Sequence, residues 1–169
     1  NLCSFEIIKT VIEVNYSNMN ITKKITIPEI KEILLQEYIS YYQKFKDSII
    51  KILSLQGKKS MSKQLKSNQI TLDSLINSND YYLTNLDIWL LANKLNLPII
   101  LYSGTDRGIK ENNNNIIVLN SDESNSYFFI KSPNQTTGKV PEYRLLIESS
   151  STKKSKIPLT SLSIELQNT

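Results

Sequence analysis

The chain offers one thiol and no imidazole: Cys3 is its single cysteine, and histidine is absent from all 169 residues. Cys3 opens the stretch CSFEIIKTVIEV, where Phe5, Ile8 and Val11 or Ile12 recur near helical spacing, so a first helix is expected over residues 3 to 14. A helix N-terminus lowers a thiol pKa, which makes Cys3 the chain's conceivable nucleophile. Thiolate chemistry also needs a group to relay protons, and in Ser and Cys hydrolases that group is usually histidine. Without one, Cys3 reads more simply as a small hydrophobe. A single cysteine cannot form an intrachain disulfide or a Cys-rich zinc site, so a reducing compartment is expected, with no metal and no cofactor.

A second concentration of chemistry lies between Lys44 and Lys66. Lys44, Lys46, Lys51, Lys58, Lys59, Lys63 and Lys66 stand against Asp47 alone, a local charge of +6. Such a patch attracts nucleic acid or another acidic partner, although a solvated lysine face explains it as well. No arginine fork or Gly-flanked aromatic motif accompanies it, so any nucleic-acid binding should be weak and nonspecific. Ser60 to Lys63 matches S-x-x-K, but the companion S-D-N and K-T-G elements are missing and the surroundings read as loop, so no serine hydrolase is inferred. Three glycosylation sequons, at Asn15, Asn20 and Asn134, are chance matches in so Asn-rich a chain.

The elements that must position these residues centre on Asn79 to Gly104. Thr84 and Asp87 have capping-box spacing. Ile88, Leu91, Ala92 and Leu95 make one apolar stripe, and Leu86, Trp89 and Leu90 a second, leaving a narrow wet arc around Asn85, Asn93, Lys94 and Asn96. A helix from about Thr84 to Asn96 should therefore be the most buried, with Trp89, Leu91 and Leu95 in the core. Pro98 ends it, and Ile99 to Tyr102 has the composition of an interior strand.

Before this unit, Asn15 to Lys24 reads as a polar turn. Thr26 to Glu29 opens a second helix, with Ile30, Ile33, Leu34, Glu37, Tyr38 and Tyr41 on one face. Ile49 to Leu55 continues helical, and Gly57 to Ser60 reads as its end and a mobile loop. Ile70 to Leu83 is a short helix or turn, with Tyr81 and Tyr82 packing at the core margin and their hydroxyls wet. After it come strands near 116–119, 127–131 and 143–147. Residues 103–115 read as a flexible excursion, 122–125 and 133–141 as turns, and 149–169 as a polar, basic tail or edge strand. The expected fold class is α+β: a helical N-terminal half packed on a central, mostly antiparallel β-sheet.

Length suits one domain, residues 1–169, with 40% hydrophobic and 21% charged residues. No secretory segment or bilayer-spanning run is evident, so an intracellular setting, host cytoplasm or virion, and no membrane partner are expected. Asn1 suggests a piece of a larger protein. Abundant Asn, Ile, Lys and Ser suggest an AT-rich genome.

The run D-I-W-L-L-A-N-K-L-N-L-P-I-I-L-Y, residues 87–102, resembles the helix-to-strand segment of ovarian-tumour (OTU) cysteine proteases. That resemblance implies a papain-type fold and, from its viral members, a large DNA virus as source. It aligns Asn1 to Phe5 with the family's D-G-N-C-L-F nucleophile motif, lacking the Asp-Gly half, which places Cys3 at the nucleophile position. The helix from Thr26 is similar to the one that follows the catalytic helix. Ser126-Tyr127-Phe128 falls where the family's H-Y-D or H-Y-N would open a strand, so Ser126 replaces the imidazole. A serine hydroxyl cannot take a thiol proton near neutral pH, so the resemblance implies an OTU-like scaffold without proteolysis. The function expected is a pseudo-deubiquitinase module that binds protein, either a ubiquitin-like partner or another domain of the same polypeptide. Two alternatives stand beside it: an active deubiquitinase using Cys3 with its base supplied elsewhere, and a basic nucleic-acid-binding accessory domain.

Overall fold

The computed structural model describes residues 3–55, 58–103, 116–120, 126–132, 142–146 and 156–158. Apart from Ser103, the expected excursion at 103–115, the turns at 122–125 and 133–141 and most of the tail lie outside them, as does the sequon at Asn134.

Helix α1 (Cys3–Asn18) buries Phe5, Ile8, Val11 and Ile12, the i, i+3, i+6/i+7 set expected of one apolar face. It runs four residues past Val14, through Asn15, which is itself buried, and the chain turns only at Asn20 with φ 59°. The polar stretch was expected to be a turn from Asn15 onward. Packing of the preceding apolar face carries the helix through residues of modest helix propensity. Helix α2 (Ile27–Leu55) is capped by Thr26 Oγ1, which accepts the Glu29 N–H at 3.3 Å, with Pro28 in its first turn. Ile30, Leu34, Leu35 and Tyr38 are buried along its first part. Phe45, at φ −129° and ψ 32°, breaks the helical geometry, and beyond it Ile49 and Leu53 return to the core.

Residues expected to be a mobile loop form helix α3 (Lys59–Lys66), whose Ser62 and Leu65 are buried against α2. The Ser60–Lys63 tetrad is thus helical. Helix α4 (Leu72–Ile76) starts on a complete capping box between Thr71 and Ser74. Helix α5 (Asn85–Leu95) buries Ile88, Leu90, Leu91 and Ala92. Leu95 is only half-buried and Trp89 is 38% exposed, its ring 6.1 Å from Tyr41, so Trp89 belongs to the surface and not to the core. The helix stops at Asn96, in the left-handed region at φ 52°, and Leu97 N–H closes back on Ala92 O at 3.0 Å before Pro98.

Strand β1 (Ile99–Ser103) leaves this stop directly and lies inside a five-stranded sheet. It pairs antiparallel with β2 (Ile116–Leu119) and parallel with β3 (Ser126–Ser132), Ile99 opposite Phe128. Along the outer edge of β3 run β5 (Lys156–Pro158) at its start and β4 (Arg144–Leu145) at its end, both antiparallel. Three of four pairings are antiparallel, and the central one is parallel. Ile99, Leu101, Phe128 and Ile130 face the helices, while Ile100, Tyr127 and Phe129 make a smaller cluster on the opposite face. The architecture is therefore α+β, with a helix-rich N-terminal half packed on a mixed sheet. Among the described residues no helix is long and apolar enough to cross a membrane.

Candidate functional site

Side chains that could do chemistry converge at the N-terminus of α5. Asp87, third residue of that helix, turns back so that Oδ2 accepts the Thr84 N–H at 2.8 Å. Thr84 and Asp87 hold the capping-box arrangement, but the other half falls short of a hydrogen bond, and Thr84 Oγ1 is buried without a partner. Asp87 does far more than cap. Tyr38, one helix away on α2, donates its hydroxyl to Oδ1, and Tyr81 donates to Oδ1 and Oδ2 at 2.9 and 3.0 Å. Lys58 Nζ lies 3.7 Å from Oδ2, donates to Tyr82 O at 2.8 Å, and sits over the Tyr81 and Tyr82 rings at 3.7 and 4.8 Å.

The Lys58 and Asp87 side chains are 0% exposed. Burial pushes the Lys58 ammonium below its ordinary range, and Asp87 opposes that shift. Burial, then the Asp87 charge, push the Tyr38 and Tyr81 hydroxyls well above theirs. A carboxylate with both oxygens occupied by two phenols, a backbone N–H and an ammonium has no lone pair free for a substrate proton. The cluster ties α2, the start of α3, the Tyr81–Tyr82 segment and α5 together. Among the described residues no group of acids, cysteines and histidines could hold a metal ion.

Two sequence expectations are corrected here. Lys58, counted in the solvated basic patch, is 2% exposed. Tyr81 is likewise buried, and its hydroxyl is dry. Local sequence pattern marks Tyr38 only as a helix-face residue and Asp87 only as a capping residue. The available signal was an acid amid an otherwise apolar surface, close to two tyrosines.

The residues that the family resemblance singles out, Cys3 and Ser126, open two different elements. Cys3 opens α1, and its neighbour Ser4 accepts the Leu83 N–H on Oγ at 3.4 Å, just before α5 begins. Ser126 opens β3, and two residues on, Phe128 N–H donates to Pro98 O at 2.8 Å, just after α5 ends. Cys3 and Ser126 thus lie toward opposite ends of an eleven-residue helix, about 16 Å long at 1.5 Å per residue. At the Cys3 end, Asn85 Oδ1 accepts the hydroxyls of Ser132 at 3.1 Å and Tyr143 at 2.8 Å, polar groups already partnered.

No family model matches the chain. No curated protein matches it either. Among solved structures, the chain is similar to the crystal structure of the viral OTU domain protease from Farallon virus. That similarity has a TM-score of 0.40 and 10% identity, covering 82% of this chain and 78% of the other.

The remaining lysines of the expected patch, Lys44, Lys46, Lys51, Lys59, Lys63 and Lys66, are all exposed on α2 and α3. Between these helices lies a cleft of about 450 Å³ lined by Lys51, Lys63 and Lys66 among others.

Proposed function

We propose that this chain is a non-catalytic, OTU-like module that binds protein, a degenerate deubiquitinase scaffold within a larger viral protein. The observation that carries the reading is the sealed cluster: the convergent ionisable groups Lys58, Asp87, Tyr38 and Tyr81 satisfy one another and present nothing to a substrate. The OTU-like part is supported by the D-I-W to I-L-Y run, which folds as the helix, stop and interior strand that the resemblance implies. The chain has no histidine, the usual partner of a catalytic thiolate and the usual acid for a leaving amine. Its role is then to present surfaces, to a ubiquitin-like protein or to another domain of its own polypeptide. Incubation of wild type and Cys3→Ala with a panel of ubiquitin dimers over hours tests this. Neither should cut any linkage, and cleavage by the wild type that Cys3→Ala abolishes would overturn the proposal.

A further inference from the structure

The cleft between the C-terminal part of α2 and α3 owes its shape to the buried cluster. Lys58 N–H donates to Leu53 O at 2.9 Å as its side chain enters the core, and Lys58 O then accepts the Ser62 N–H at 2.9 Å. The chain is thereby reversed at Lys58, and α3 is laid back along α2 with Leu65 buried between them. The walls left facing outward carry Lys51, Lys63 and Lys66, with Asp47 as the single acid and Ile50 and Leu55 as aliphatic surface. Leu55 is 71% exposed, the highest value among the large hydrophobic residues described. The ion pairs among the described residues are Lys24–Glu13, Lys58–Asp87 and Lys94–Glu37, so none of them neutralises these three lysines.

We propose that this cleft is a docking site for an acidic peptide segment carrying an aliphatic anchor. The inference rests on the binding-module reading and gives it a surface and a partner chemistry. Three unneutralised ammonium groups around an aliphatic floor match carboxylates flanking a leucine-like side chain, which would cover Leu55 while its neighbours pair with Lys51, Lys63 and Lys66. Nucleic acid fits less well. The lining has no aromatic ring to stack a base and no guanidinium to fork onto one. The cleft's volume, about 450 Å³, lies in the range of preformed sites and accommodates side chains of a short segment.

The test is fluorescence anisotropy at physiological salt with a labelled peptide in which glutamates flank a Leu-Leu pair. The comparators are the same peptide with the leucines replaced by serine and a labelled single-stranded DNA. The variants are K63E with K66E, and Leu55→Ser, all at exposed positions and checked for folding by circular dichroism. The leucine-bearing peptide should bind saturably, and the double charge reversal should weaken it by about tenfold or more. Leu55→Ser and removal of the peptide's leucines should each weaken it several-fold. Absence of binding, affinity indifferent to both variants, or DNA binding more tightly than the peptide with a steep salt dependence would overturn the proposal. Loss of the cleft proposal with ubiquitin dimers still uncut leaves the module reading intact. Cut dimers would sink that reading separately.

Discussion

Lys58 and Lys59 are adjacent in the chain, and the structure sends one side chain inward and leaves the other in water. The inward lysine meets a carboxylate, a carbonyl and two ring faces. The outward ones lie on α3, Lys59 at its first position and Lys63 and Lys66 on the wall of the cleft. A buried ion pair is tolerated only where the remaining donors and lone pairs are met by hydrogen bonds, and Asp87 has that full complement. The sealed region therefore ties the helices together, and the open region leaves its charges in water. Charge counted along a sequence cannot separate the two, because the deciding groups come from other elements.

The largest effect should come from breaking the sealed side. Lys58→Met leaves Asp87 buried without its cation and should cost about 3–5 kcal/mol in urea unfolding. Asp87→Ala strips partners from Lys58, Tyr38, Tyr81 and the Thr84 N–H at once, so it should cost at least as much. The double variant should cost less than the sum of the two, since each single change already removes their shared contact. A loss under about half a kcal/mol for Lys58→Met, the usual range for a surface change, would show that the lysine is not buried.

In the core proper, Leu91 is 0% exposed, and Leu91→Ala should cost about 2–5 kcal/mol as a cavity mutation. Trp89→Ala should cost less than Leu91→Ala despite the larger side chain removed, because Trp89 stands at the surface against Tyr41. The opposite order would return Trp89 to the core.

Alkaline pH sharpens the comparison from another side. Tyr38 and Tyr81 have pKa values raised above 10.0, so the folded state holds their protons more tightly than the unfolded chain does. Their contribution is complete below pH 10.0 and is lost as pH rises above it. Lys58, lowered from 10.5, acts in the opposite sense: between its folded value and 10.5 it favours folding as pH rises. Two tyrosines against one lysine make the net outcome a fall in stability above pH 10, with tyrosinate absorbance appearing together with unfolding. Tyr81→Phe should flatten that fall. Tyrosines that all titrate near pH 10 in a folded protein would contradict the buried cluster.

Much of the framework was legible from local pattern alone. The α5 stripe of Ile88, Leu91 and Ala92, the stop at Pro98 and the interior strand from Ile99 follow from periodicity and proline chemistry, and all occur. Strands near 116, 127 and 143 were legible for the same reason. The sealed site was not, because Tyr38 and Asp87 are 49 positions apart and nothing local announces their meeting. Trp89 was misplaced because its helix is apolar over most of its circumference, and which part faces the surface depends on where α2 lies. Helix α3 was hidden by polar residues whose helicity comes from Lys58 and Leu65 anchoring it at either end.

On the open side the effects on stability should be smallest. Lys63→Glu and Lys66→Glu should each stay within about 0.5 kcal/mol of wild type, as expected for surface positions without ion pairs. A clear loss of stability in either would place that lysine in the folded framework and not on the docking face.

The split between the two sides is tested most directly by amine labelling of the native protein with acetic anhydride, followed by peptide mass spectrometry. Lys59, Lys63 and Lys66 should be acetylated readily, while Lys58, with a side chain 0% exposed, stays unmodified until the protein is unfolded. Labelling of Lys58 at the rate of Lys59 in the folded protein would contradict the account, because an accessible Lys58 would open the cluster now read as closed to substrate.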